Sequence, residues 1–111
     1  MITTHILDLT IGKPAAGVRV VLTRVENVER TVVGSGVTDD DGRLRELVPT
    51  ASTVDAGTFE LSFETGMYFR AKGVEPFHPR VLVIVDIADP KQDYHVPLLV
   101  SPYGYTTYRG S

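Results

Sequence analysis

The chain has 111 residues, 42% of them hydrophobic and 23% charged, which suits one ordinary globular domain over 1–111 and excludes a disordered polar chain. Its formal net charge of −3, with no basic run, argues against a nucleic-acid partner, and the absence of cysteine excludes disulfides and thiolate chemistry. No apolar stretch approaches the roughly 18 residues of a membrane span, and Met1 to His5 runs straight into a strand pattern, so neither a membrane partner nor a signal peptide is expected.

Strand signals dominate the chain. Thr3 to Leu9 reads as a short strand closed by the turn residues Thr10 to Pro14. A second strand spans Gly17 to Val25, with Val18, Val20 and Leu22 on one face. A third, Arg30 to Thr38, contains Gly34 and Gly36, and a glycine inside a strand marks a bulge or a close backbone approach. Asp39-Asp40-Asp41-Gly42 is a tight acidic turn followed directly by Arg43. It lacks the distal glutamate of a calcium loop, so a plain turn is expected.

Leu44 to Leu47 adds a brief edge strand, and Val48 to Thr53 reads as loop. Thr58 to Glu64 has the clearest alternation: Phe59, Leu61 and Phe63 point inward, Glu60, Ser62 and Glu64 outward. Gly66 to Lys72 breaks that pattern and ends at Gly73, which fits a single short helix. Val81 to Ile87 is continuously apolar and predicts a central strand covered on both sides. These segments give seven or eight strands at a spacing of roughly 8–12 residues, the signature of an all-β sandwich.

The last eighteen residues, Tyr94 to Ser111, are unusually aromatic for a terminus. From Tyr94 to Ser101 one parity (Tyr94, Val96, Leu98, Val100) is a core face. The other (His95, Pro97, Leu99, Ser101) is too apolar for bare solvent and predicts cover by another subunit. Tyr105 to Arg109 reads as the terminal strand, and two-fold homo-oligomers are the common way to cover such a face.

No phosphate loop, metal-ligand spacing or nucleophile elbow is present, so chemistry must come from single residues. His5, His78 and His95 each have a plain structural reading, His78 most of all. Arg43 reads alone as a solvated partner of Asp39 to Asp41, and Arg109 as a partner of the Ser111 carboxylate or of an anion. First and last strands of a small sandwich can lie close together, however. His5, His95, an arginine and a tail tyrosine would then form a metal-free hydrolytic set: imidazole takes a proton from water, and guanidinium holds a planar heterocycle or an oxyanion.

Four stretches carry a resemblance: Thr3 to Thr10 with Gly12 to Ala15; Asp41-Gly42-Arg43; Tyr94 to Leu99 with Ser101-Pro102; and the ending Tyr108-Arg109-Gly110-Ser111. Together they resemble the 5-hydroxyisourate hydrolases, transthyretin-like enzymes of urate (purine) breakdown, along the whole chain. His5, His95 and the ending separate that group from transthyretin proper, a hormone carrier. The resemblance implies a transthyretin-like sandwich of about eight strands in two sheets with one short helix. It also implies a homotetramer, a dimer of dimers with sites in the channel between dimers. The carried-over site residues are His5, Arg43, His95 and Ser111 for catalysis and Tyr108 for substrate contact. No metal or organic cofactor is implied, and the cytoplasm is the implied location. The implied reaction is hydrolytic ring opening of 5-hydroxyisourate to a ureido-imidazoline carboxylate. Ser111 would orient substrate or water, a nucleophilic serine being the weaker version because no base adjoins it in sequence. A non-catalytic carrier of small ligands is the alternative.

Overall fold

Period-two alternation decides the architecture. The computed structural model describes residues 1–48 and 54–111. These form β1 (Ile2–Asp8), β2 (Lys13–Pro14), β3 (Arg19–Glu26), β4 (Glu29–Val37), β5 (Arg43–Leu44), β6 (Gly57–Phe63), α1 (Thr65–Ala71), β7 (Val81–Ile87), β8 (Tyr94–Val100) and β9 (Tyr105–Thr107). One sheet runs β2-β1-β8-β9, with β5 also paired to β1; the other runs β4-β3-β6-β7. The result is an all-β sandwich with one short helix. Most of the loop expected over Val48–Thr53 lies outside the described residues.

β1, β3, β6, β7 and β8 send alternate residues into one core. Ile2 and Ile6 from β1, Val96 and Leu98 from β8, Val20 and Leu22 from β3, and Phe59, Leu61 and Phe63 from β6 are all buried. Two polar side chains share the inner face of β1. Thr4 donates its hydroxyl to the Val96 carbonyl, and the buried Asp8 accepts from the Tyr68 phenol at 2.9 Å and from the Thr10 N–H at 2.9 Å. The helix therefore does more than cover the core; through Tyr68 it anchors the end of β1. It stops where Gly73 takes φ +75°, with Gly73 N–H bonded to the Arg70 carbonyl and Val74 N–H to that of Phe69. That doubled cap is the Schellman motif, and it needs a residue free to adopt positive φ.

The glycines of β4 do both things expected of strand glycines. The β3–β4 register shifts between Leu22 and Thr23, leaving Val33 as the extra residue beside Gly34. A Cβ at Gly34 would also collide with the Leu47 carbonyl oxygen.

Three expectations need correction. β7 is an edge strand, not a central one; Val81, Val83 and Ile87 are buried, but Leu82 and Ile84 are 44% and 66% exposed. A continuous apolar run reports that both faces avoid water, and it cannot say whether the second cover comes from the same chain. Glu60 does not point freely outward. It is buried, because Arg30 of β4 reaches across β3 to pair with it. The short edge strand is only Arg43–Leu44, rather than Leu44–Leu47.

The Asp8–Tyr68 contact yields a stability prediction. Burial first, then the hydrogen bond and the charge of Asp8, hold the Tyr68 phenol above its ordinary pKa. A raised folded-state pKa means that this contribution is complete below about pH 10 and falls away as pH rises further. Replacing Tyr68 by Phe leaves a buried carboxylate oxygen without its donor and should lower unfolding free energy by about 2 kcal/mol. Urea titrations should show that loss at pH 7, and the variant should lose less stability than wild type between neutral and strongly alkaline pH.

Candidate functional site

The outer face of the five-stranded sheet gathers the candidate residues by register. β1 and β8 run parallel, with Thr3 opposite His95 and His5 opposite Pro97. β5 runs antiparallel to β1 and sets Arg43 opposite His5. Past β9, a single bridge sets Gly110 opposite His95, with the Gly110 N–H bonded to the His95 carbonyl at 2.8 Å. Residues 5, 43, 95 and 111, scattered over the sequence, thus meet on one face. Thr3, Arg43, Arg45, Asp93, His95 and Ser111 line a half-open pocket of about 410 Å³. A larger cavity of about 560 Å³ opens elsewhere, lined by Ile2, Leu47, Ile87 and Tyr94 among others, and holds none of the candidate residues.

The acidic turn fixes one imidazole. Asp39 accepts from the backbone N–H groups of Asp41 and Arg43 at 2.9 and 3.0 Å, and the Arg43 bond is the main reason its carboxyl is held below its ordinary pKa. Gly42 completes the turn at φ +73°, where a Cβ would strike the Ile6 carbonyl oxygen. The turn so held presents the Asp41 carbonyl 2.8 Å from Nε2 of His5. A carbonyl only accepts, so His5 carries its proton on Nε2.

The second imidazole is held at its edges. Nδ1 of His95 lies 2.8 Å from the Thr3 hydroxyl. On the opposite edge a Cβ at position 110 would come within 2.5 Å of Cδ2 and 3.2 Å of Cγ. Among the described residues no hydrogen bond reaches Nε2, and the residue lines the pocket. Partial burial, followed by electrostatic repulsion from His5 and Arg43, pushes the His95 pKa below its ordinary value, partly opposed by Thr3. His95 therefore stays a neutral base at physiological pH. Among the described residues no acidic group pairs with the Arg43 guanidinium, so its donors remain available to a ligand.

Not every expected residue joins this pocket: His5 stands on the same sheet face, opposite Arg43, but is not among the lining residues. Tyr108 lines a second groove, between β7 and the β8–β9 edge, that meets the first at His95. Arg109 forms no ion pair with the chain terminus; it stacks on the Tyr94 ring at 4.7 Å and donates to the Gln92 side chain. His78 packs edge-on between Phe77 and Tyr105. Sequence reasoning passed over Thr3, Arg45 and Gly110. Period-two spacing would have found the first two, which lie two residues from His5 and Arg43; the role of Gly110 is visible only in contact with His95. Among the described residues no group of three or more His, Asp or Glu could hold a metal.

By its fold the chain is a transthyretin-type β-sandwich: it superposes on transthyretin from Sparus aurata with a TM-score of 0.89 at 30% identity, covering 98% of this chain and 95% of that one. It belongs to the HIUase/Transthyretin family, whose model matches residues 2–110. The 5-hydroxyisourate hydrolase of Halalkalibacterium halodurans is 45% identical over 115 residues, spanning 99% of this chain and 97% of the relative. The structure of Klebsiella pneumoniae 5-hydroxyisourate hydrolase matches with a TM-score of 0.86 at 36% identity, covering 99% of this chain and 98% of that one.

The packing of Gly110 on His95 is directly testable. In Gly110→Ala the new methyl should push the imidazole outward, relieve its burial and raise its pKa toward the ordinary value of about 6.5. An NMR titration should show the His95 resonances moving while those of His78 stay in place. An unchanged His95 titration would contradict the contact.

Proposed function

We infer that this chain is a 5-hydroxyisourate hydrolase, opening the six-membered ring of its substrate to 2-oxo-4-hydroxy-4-carboxy-5-ureidoimidazoline. One observation carries the reading. The outer sheet face unites two imidazoles, a guanidinium without an ion-pair partner among the described residues, and the Ser111 terminus, which is the equipment for adding water to a planar cyclic amide.

The proposed chemistry follows from these groups. A neutral imidazole takes a proton from water as the oxygen bonds to the ring carbonyl carbon. Arg43 faces the oxyanion that forms and holds the heterocycle through paired donors. Collapse of the tetrahedral intermediate breaks the ring C–N bond, and the imidazolium returns its proton to the leaving nitrogen, so the product carries a new carboxylate. Ser111 orients substrate or water. Tyr108 is proposed to contact substrate from the groove beyond His95.

A homotetramer is proposed as the working form, a dimer of dimers, and two separate surfaces of the chain support it. One is the set of free edges: β7, with Leu82 and Ile84 exposed, lies beside β9 across the groove that holds Tyr108. The other is the outer sheet face, where Leu7 and Leu99 are only half-buried, with Leu9 and Ile11 exposed in the turn that follows β1. Two different self-complementary patches generate a closed tetramer with two-fold axes. The cytoplasm is the proposed location, and cell fractionation would test it. Among the described residues no helix is long and apolar enough to cross a membrane.

A carrier and an enzyme differ in what they do to 5-hydroxyisourate. When it is generated from urate by urate oxidase, this protein should accelerate its decay, and His5→Ala and His95→Ala should each lose about 10²-fold or more. A folded protein that leaves the decay unchanged would support a carrier instead. Because the His95 pKa is depressed, the base is present above that pKa and is lost as pH falls through it. The acid limb of kcat/KM should therefore lie below about pH 6.5. Sedimentation should give four times the 12.2 kDa chain mass; an active monomer would overturn the proposed assembly.

A further inference from the structure

We propose that Thr3 is a positioning residue that holds His95 as its Nδ1–H tautomer, making Nε2 of His95 the base that deprotonates the attacking water. The proposal deepens the hydrolase reading and rests on it for the identity of the reaction. The hydroxyl of Thr3, half-buried beside the pocket, lies 2.8 Å from Nδ1. The parallel register sets Thr3 directly opposite His95, so the rigid backbone of two paired strands fixes this contact. Gly110 closes the Cδ2 edge of the ring, and among the described residues nothing occupies Nε2.

A threonine hydroxyl can either donate or accept, so the tautomer turns on what else meets the ring. The Thr3 hydroxyl oxygen is the one hydrogen-bond partner the His95 ring has among the described residues. A ring proton on Nδ1 therefore finds a protein acceptor while one on Nε2 finds none, which favours Nδ1–H and leaves the lone pair on Nε2. The two histidines then differ. His5 has Nε2–H committed to the Asp41 carbonyl, whereas His95 offers a bare Nε2 to the pocket that holds Arg43 and Ser111. That difference assigns the base to His95 and leaves His5 to hold substrate or water.

Nitrogen-15 NMR of the histidine side chains, at a pH above the His95 pKa, reads the tautomer without any turnover. Wild type should show protonated Nδ1 and bare Nε2 at His95; the opposite tautomer would overturn the proposal. Thr3→Val keeps the shape and removes the hydroxyl. It should give a tautomer mixture and lower kcat by about 10- to 100-fold with KM little changed, while Thr3→Ser should restore both. A Thr3→Val protein with wild-type kcat and tautomer would sink the idea. If Thr3→Val fails to fold, the wild-type spectrum and Thr3→Ser still decide. If wild type proves inert toward 5-hydroxyisourate, the hydrolase reading fails while the tautomer result stands or falls by itself.

Discussion

Everything on the candidate face depends on the parallel ladder between β1 and β8, which pairs Ile2 with Tyr94 and continues in step to Asp8 with Val100. The strands lie at opposite ends of the chain, so the closure entropy of most of the molecule is spent before the ladder forms. Its register is set on the other face of the sheet. Ile2 and Ile6 must enter the core beside Val96 and Leu98, and a slip of one residue would turn His95 inward and Tyr94 outward. The alignment of Thr3 with His95 and of His5 with the row above is thus a consequence of hydrophobic packing, needing no separate energy to hold it.

Local devices refine what the ladder sets roughly. The three aspartates after β4 look like surface charge, but only Asp39 acts through its carboxylate, tying two backbone N–H groups. The effect is to aim the Asp41 carbonyl at His5 and to start β5 so that Arg43 faces the same histidine. Gly42 and Gly110 serve close approach, one to the Ile6 carbonyl and the other to the His95 ring. Partial burial, and secondarily repulsion from His5 and Arg43, hold the His95 pKa below its ordinary value, and among the described residues no ion pair ties up the Arg43 guanidinium.

The sequence disclosed most of the fold, because alternation is a direct record of which face meets the core. Phe59, Leu61 and Phe63, the Gly73 helix stop and the inward parity of β8 all follow from it. It failed where burial depends on a neighbour that spacing does not reveal. Glu60 looks like a solvent residue until Arg30 is folded over it. The run Val81 to Ile87 looks central because hydrophobicity is blind to sheet order. The site was legible as residue types, and as a resemblance along the whole chain, but its geometry was not. Arg109 illustrates the limit: its position suggested a partner in the Ser111 carboxylate, and the fold gives it the face of Tyr94 and the amide of Gln92.

The exposed position of the pocket bears on the proposed assembly. A guanidinium on a bare sheet face works in high dielectric, where its attraction for a developing oxyanion is weak; excluding water strengthens the same interaction severalfold. The chain supplies the polar groups on one wall, and the same sheet face carries Leu7 and Leu99, apolar residues left half-buried. A second copy laid over that face by a two-fold axis would bury those apolar side chains and bring its own His5, Arg43 and His95 opposite the first set. In the proposed tetramer, then, the driving force for assembly and the low dielectric needed for hydrolysis come from the same contact. Monomers would be expected to lack both together, which ties the oligomeric state to the chemistry more closely than the distance between individual residues can.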